Sequence, residues 1–312
     1  MKKKSIIFLI FTIFLTSIIS AGGQKEEQPI KIAFLPVLDS LPFYIALEEG
    51  YFEAEGITVK AIPVSSPVER DQLMQSGEIN GMLNELSSTA LFNQNDIQLQ
   101  TVQIVRMARE NSPVFRILAS PQSGITSPEG LAGVEIAVSK NSIIEYLTDR
   151  ILQEEGLSQD DIAVKSVPVI PERFQLLMSG QISAATLPDP LAQAAVAAGA
   201  VNVIDDTRYP QYSMSVLTFN IKTINKKRAD LKKFMKAWNR AVEALNANPD
   251  NYRDLFLGKI PVPPSLSNTF IIPQFAVSQL PEEKQWNDVL DWLEEKGILF
   301  SRPSYKDSIN KL

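Results

Sequence analysis

The sequence predicts an α/β protein built from two similar lobes that face each other across a cleft. The first reason is an internal repeat: residues 69–79 (ERDQLMQSGEI) return at 172–182 (ERFQLLMSGQI), with seven identities and no gap at an offset of 103 residues. The echo reaches upstream, from Lys31–Phe34 to Val134–Val138 and from EEGYFEAEGITVKAIPV (48–64) to EEGLSQDDIAVKSVPV (154–169). The second reason is the shared grammar of the two copies. Each reads as an apolar strand, a helix, a β-branched strand ending in Pro-Val, a helix ending at Ser-Gly, and a third strand. That is a βαβαβ unit, the building block of an open parallel sheet. A period near one hundred residues is too long for stacked solenoid repeats, which run at about 20–50 residues. Open sheets bind ligands at the carboxyl ends of their strands, so two facing sheets make a cleft.

The elements follow in order. Ile30–Pro36 is the first strand, and Pro42 stands in the first turn of the next helix, where its missing N–H costs nothing. Ile57–Pro63 is the second strand, Pro67–Gln75 the first repeated helix with Gly77 as its C-cap, and Ile79–Leu83 the third strand. A strand at 99–106 closes the first copy, and Val114–Ala119 leads out of it. In the second copy Glu135–Ser139, Ile162–Val169 and Ile182–Leu187 are strands; Ser142-x-x-Glu145 matches a capping box. Ser213–Asn220 alternates as a strand does and is expected beside Val114–Ala119, the pair forming a hinge. Lys222–Asn246 carries Leu231, Phe234, Met235, Trp238, Val242 and Leu245 at helical spacing, and Trp286–Lys296 is a terminal helix.

Composition narrows the chemistry. A length of 312 residues with 45% hydrophobic and 21% charged residues is that of an ordinary globular chain. The net charge of −6 and the absence of a basic stripe argue against nucleic acid as a partner. There is no cysteine and no histidine. Disulfides, thiol nucleophiles, the usual zinc sites and every Ser-His or Cys-His dyad are therefore excluded. The residue most used for proton transfer near neutral pH is missing too.

Residues 1–23 read as an export signal: Lys2–Lys4, the apolar run Ser5–Ile19, then Ser20-Ala21-Gly22-Gly23 as small residues for cleavage. The run is shorter than the ~20 residues of a spanning helix. Ile19-Ser20-Ala21-Gly22 resembles a lipoprotein signal with Gly22 where the acylated cysteine would stand, so no lipid is expected there.

FLPVLDSLPFYIALEEGYFEAEGITV, MQSGEINGML, SPEGLAGVEIAVSKNSIIEYLTDRILQEEGL and LMSGQISAATLPDPLA, in this order and spacing, resemble the solute-binding proteins of NitT/TauT-type ABC importers. Members of that group serve nitrate, sulfonates, taurine and thiamine-pyrimidine precursors. The resemblance covers about residues 30–290 and implies a type II periplasmic binding protein, with two α/β lobes joined by two crossover strands. The expected lobes are 29–114 plus 216–312 and 115–215. Two departures stand out: the lipoprotein cysteine is missing, and the second-lobe signature, often Glu-Pro, is Asp189-Pro190.

On that fold the cleft is lined by the loops after the first and third strands of each lobe. This nominates Leu38, Asp39, Ser40 and Phe43; Asn84, Glu85, Ser87 and Ser88; Asn141 and Ser142; and Asp189. Arg106 near the hinge is positioned for an oxyanion, or for an ion pair, and Tyr212 for an aromatic wall, or for a surface turn. Ser40, Ser88 and Ser142 are equally N-cap positions, and Asp189 between two prolines equally a turn-former. Arg70 and Arg173, present in both copies, read as structural. Asp39, Glu85 and Asp189 would place three carboxylates at the cleft, favouring a nitrogen-bearing, pyrimidine-like solute over an inorganic anion. The expectation is thus a periplasmic, monomeric, non-catalytic receptor that needs no cofactor and delivers a small solute to the transmembrane subunits of an ABC permease. The alternatives are a ligand-sensing extracytoplasmic domain, which needs a spanning helix and a cytoplasmic partner domain, and an enzyme on the same scaffold. The fungal pyrimidine-forming enzymes use a Cys-rich motif and a histidine, which are not in this sequence.

Overall fold

The computed structural model describes residues 28–312, so the export segment read at 1–23 lies outside the described residues. The first lobe is laid down as β1 (Ile30–Phe34), α1 (Leu41–Glu48), α2 (Tyr51–Ala54), β2 (Val59–Pro63), α3 (Pro67–Ser76), β3 (Gly81–Asn84), α4 (Leu86–Asn93) and β4 (Leu99–Met107). The second follows as β5 (Phe115–Ala119), β6 (Glu135–Val138), α5 (Ile143–Glu154), β7 (Ala163–Ser166), α6 (Ile170–Met178), β8 (Ala184–Pro188), α7 (Leu191–Ala197) and β9 (Val201–Asp205). The chain then returns through β10 (Met214–Asn220), α8 (Ile221–Ala247), α9 (Arg253–Lys259), α10 (Glu283–Glu295) and α11 (Tyr305–Ser308).

Two five-stranded sheets result, ordered β2-β1-β3-β10-β4 and β7-β6-β8-β5-β9. The repeat is visible in the pairing. β1 lies parallel between β2 and β3, and β6 lies parallel between β7 and β8. The repeated helices are α3 and α6, and both close at a glycine in the left-handed region, Gly77 (φ +78°) and Gly180 (φ +72°). The Ser-Gly end of the motif is therefore a helix stop that any other residue would strain.

One expectation is corrected. β10 does not lie beside β5; it pairs antiparallel with β3 and β4 inside the first sheet. Its alternation had suggested an outer crossover strand, yet five of its seven residues are buried. The polar members of the pattern have partners there, as Thr218 hydrogen-bonds Thr101 at 2.9 Å. The lobes are instead joined by two irregular segments, 108–114 and 206–213. Asp206 staples these together. Its carboxylate accepts the N–H groups of Val114 (3.0 Å) and Phe115 (2.9 Å) and the Ser213 hydroxyl.

The terminal helices mostly cover the first lobe. α8 packs Leu231, Phe234, Trp238, Val242 and Leu245 onto α1 and α2, and breaks its helical dihedrals once, at Lys227. The segment leading to α10 runs along β4 (Ile104 N to Gln279 O, 2.7 Å; Ala276 N to Val105 O, 3.2 Å). Among the described residues, no helix is long and apolar enough to cross a membrane.

Candidate functional site

Four strand-to-helix loops converge between the lobes, two from each. They enclose a central cavity of about 40 Å³. Its floor and walls are Leu35, Val37, Pro67 and Leu83 of the first lobe, Ile143, Ile144, Ile170 and Pro188 of the second, and Val114 and Phe115 at the crossover. Polar groups enter at Asp39, Arg70, Asn84, Glu85 and Ser215. A smaller void beside it is bounded by Glu85, Ser87, Ile143, Tyr146, Tyr212 and, from α10, Gln285 and Val289. Two wider openings flank the pair. One of about 460 Å³ holds Asp71, Ser88, Asn141 and Ser142; the other, about 310 Å³ on the crossover side, holds Arg106, Arg109, Arg116 and Asp189.

The nominated residues divide accordingly. Asp39, Asn84 and Glu85 reach the central cavity, and Ser87 and Tyr212 its flank. Ser88, Asn141 and Ser142 stand at one opening, Arg106 and Asp189 at the other. Leu38, Ser40 and Phe43 line none of them. Leu38 and Phe43 are core residues, the latter with its ring tilted against Phe34, Phe52 and Phe234, while the Ser40 hydroxyl turns back to Val37 O at 2.9 Å. The first turn after β1 is a 3-10 turn (Leu38–Ser40), which points only Asp39 at the cleft. Ser142 caps α5 as expected, accepting from Ile144 N at 3.2 Å, but Glu145 reaches one residue further, to Asn141 N at 2.6 Å. Tyr212 sets its ring edge-on to Tyr146 and donates to Glu154 at 2.6 Å.

The three carboxylates are not free. Glu85 is held in a two-pronged pair by Arg70 (Nη1–Oε2 and Nη2–Oε1, both 2.8 Å), whose Nε also reaches Asp71 at 2.8 Å. Asp39 meets Arg106 at 3.2 Å and accepts the Ser215 hydroxyl. Asp189 meets Arg116 through both oxygens at 3.2 Å and accepts Gln193 N at 3.1 Å. The three unpaired carboxylates expected from the sequence are thus each opposite an arginine, although Arg70 is shared with Asp71 and Arg116 with Asp205 (3.9 Å). Burial works against the charge on Arg70, yet Asp71 and Glu85 together keep it firmly protonated. Burial raises the Glu85 carboxyl, opposed by Arg70.

Arg70 therefore has a role beyond the repeat, and its twin Arg173 sits differently. Pro188 occupies the place corresponding to Glu85. Arg173 is fully buried, with Nη1 on Ser139 Oγ and Val167 O at 3.1 Å each, while Nε and Nη2 have no partner. Burial without a counter-charge pushes it down to about 9. Three other buried atoms lack partners at the cleft: Asn84 Oδ1, at the central cavity, Ser87 Oγ, at its flank in the first turn of α4, and Arg106 Nε, at the crossover-side opening. Buried polar atoms are normally paired, so such exceptions call for a reason. Sequence reasoning also missed the apolar wall (Val37, Ile143, Ile144, Ile170), whose residues read simply as core. Among the described residues, no group of three or more Asp or Glu is placed to hold a metal ion.

Two α/β lobes on two crossover segments, with a cleft at the strand ends, make the architecture of the periplasmic binding proteins. The chain belongs to the NMT1/THI5-like family, whose model matches residues 38–252. It is 25% identical over 262 residues to a Bacillus subtilis protein named for binding aliphatic sulfonates, covering 81% of this chain and 77% of the relative. It is 22% identical over 173 residues to the formylaminopyrimidine-binding protein of Halalkalibacterium halodurans, covering 54% of this chain; that match spans about half (51%) of the relative. The alkanesulfonate-binding protein SsuA of Xanthomonas axonopodis pv. citri, solved with MOPS bound, superposes with a TM-score of 0.76 at 15% identity, covering 91% of this chain and 98% of that one.

Proposed function

We propose that this chain is the extracytoplasmic, non-catalytic receptor of an ABC importer, which closes two lobes on a small organic solute and presents it to the permease. The moving bodies are 29–114 plus 216–312 and 115–215, except that β10 makes Met214 and Ser215 part of the first. The observation that carries the reading is the pair of unpartnered buried atoms, Asn84 Oδ1 and Ser87 Oγ, beside an interlobe cavity whose charged side chains are paired. Leaving a buried polar group unpaired costs about 1–3 kcal/mol, a cost that a solute's own polar groups would remove. The apolar wall suits the body of such a solute.

The solute class follows from the charges. With Asp39, Glu85 and Asp189 each paired, the Coulomb ground for preferring a ring amine is gone. Both solute types for which relatives are named, an aliphatic sulfonate and a formylaminopyrimidine, could be held in a cleft whose carboxylates are paired. Asn84 Oδ1 can only accept a hydrogen bond, so it calls for an N–H donor, which an aminopyrimidine supplies and an ionised sulfonate does not; with the Phe115 ring at the cavity and Tyr146 and Tyr212 at its flank, this favours the pyrimidine. A thermal-shift panel on residues 24–312 with short alkanesulfonates, aminopyrimidines, taurine and nitrate tests this. A solute at a hundred times its Kd adds about 2.7 kcal/mol. The expected outcome is an aminopyrimidine hit that weakens at least tenfold in Asn84→Ala and Ser87→Ala. Undiminished binding in both variants would place the solute elsewhere.

A further inference from the structure

α10 belongs to the first lobe by its anchors. Residues 276–279 before it run along β4, and after it Ile309 bridges Thr101 of the same strand, with Asn310 N on Thr101 O at 3.0 Å. One face of the helix packs on α4. Its other side grips α5 of the second lobe with a dense set of polar contacts. Asp288 accepts the Tyr146 hydroxyl at 2.5 Å and Arg150 Nε at 3.3 Å. Trp292 Nε1 donates to Asp149 at 2.9 Å, and its ring meets Tyr146 edge-on at 5.4 Å. Lys296, just past the helix end, reaches Glu145 at 2.9 Å and Asp149 at 3.2 Å, both buried carboxylates of the second lobe.

These contacts do not involve the central cavity, yet they govern it. α5 begins at Ile143, and Ile143 and Ile144 are its contribution to the cavity wall. We propose that α10 is an interlobe latch: a helix fixed to the first lobe whose Asp288, Trp292 and Lys296 grip α5 and stabilise the closed cleft, so that these positioning residues tune solute affinity without touching the solute. The proposal rests on closure of the two lobes but not on which solute is bound.

The latch is testable without any solute. Small-angle scattering of residues 24–312 should give a radius of gyration near the ~19 Å of a compact chain of this length. A folded Trp292→Phe/Lys296→Met variant, which keeps an aromatic ring at 292 and an unbranched apolar chain at 296 and removes the donors to Asp149 and Glu145, should be measurably larger. Its affinity for an aminopyrimidine, or for 1-butanesulfonate if that is the class that binds, should fall about tenfold through a faster off-rate. If the double variant does not fold, Trp292→Phe alone should show the same changes at smaller size. A folded variant with unchanged radius and unchanged affinity, its melting temperature alone lowered, would overturn the latch, because the α5–α10 contacts would then persist in the open form. Absence of binding by either probe in the wild type bears on the receptor reading, while the scattering comparison still decides the latch.

Discussion

Glu85 and Asp206 show how much of the site turns on single buried carboxylates. Glu85→Gln leaves Arg70 buried against Asp71 alone, so stability should fall by about 3 kcal/mol in a urea titration. Asp206 responds to pH with the opposite sign to an ordinary ion-paired carboxylate. Burial raises it to about 7, against its hydrogen bonds from Ser213, Phe115 and Val114 and the nearby charge of Arg106. Between about pH 4 and pH 7 the folded chain then holds a proton that the unfolded chain has lost, so stability declines as pH rises through this window. Urea titrations from pH 4.5 to 8 should show that decline, and Asp206→Asn should flatten it. At this scale the sequence was half legible. The loops after the strands named Asp39, Asn84 and Glu85, which line the interlobe cavity. Their ion-pair partners were out of reach, since Arg106 comes from 67 residues beyond Asp39 and Arg116 from 73 residues before Asp189. A strand's alternation gives the face of a side chain, not the charge it meets across the fold.

Among the elements, the repeated helices and the strands beside them were readable because local chemistry decides them. Ser66 accepts Glu69 N at 3.2 Å to start α3, Pro67 follows, and Gly77 stops it. β10 returns to the first lobe as expected, but its neighbours were misread because its pairing with β3 and β4 is decided by packing distant in sequence. Gly81 of β3 marks that packing. A Cβ there would sit 2.6 Å from the Phe219 ring and 2.9 Å from Ile32 Cδ1. Gly81→Ala should therefore cost about 1–3 kcal/mol by overpacking between β1 and β10, measured as a lower denaturation midpoint with an unchanged slope. The terminal helix was legible as an amphipathic segment with a buried Trp292. That its indole N–H would serve the other lobe was not, since spacing shows that a side chain is buried but not against what.

For the whole molecule, the repeat was the decisive signal, for it implied two lobes and hence a cleft before any family resemblance was drawn. What it concealed is the asymmetry between the copies. Lobe 1 neutralises Arg70 with Glu85, whereas lobe 2 buries Arg173 opposite no carboxylate and puts Pro188 at the cavity. The two halves therefore offer the cavity different chemistry: both supply aliphatic side chains, but the unpartnered polar atoms Asn84 Oδ1 and Ser87 Oγ come from lobe 1. Hinge bending about 108–114 and 206–213 would bring them together. Hydrogen–deuterium exchange with and without a saturating solute from the panel tests this most directly. The account predicts slowed exchange on both lobes at once, at 84–89 and at 143–147, with the outer strands β2 and β7 unchanged. Slowed exchange confined to one lobe, or away from these helix starts, would contradict a receptor that closes two lobes on its solute.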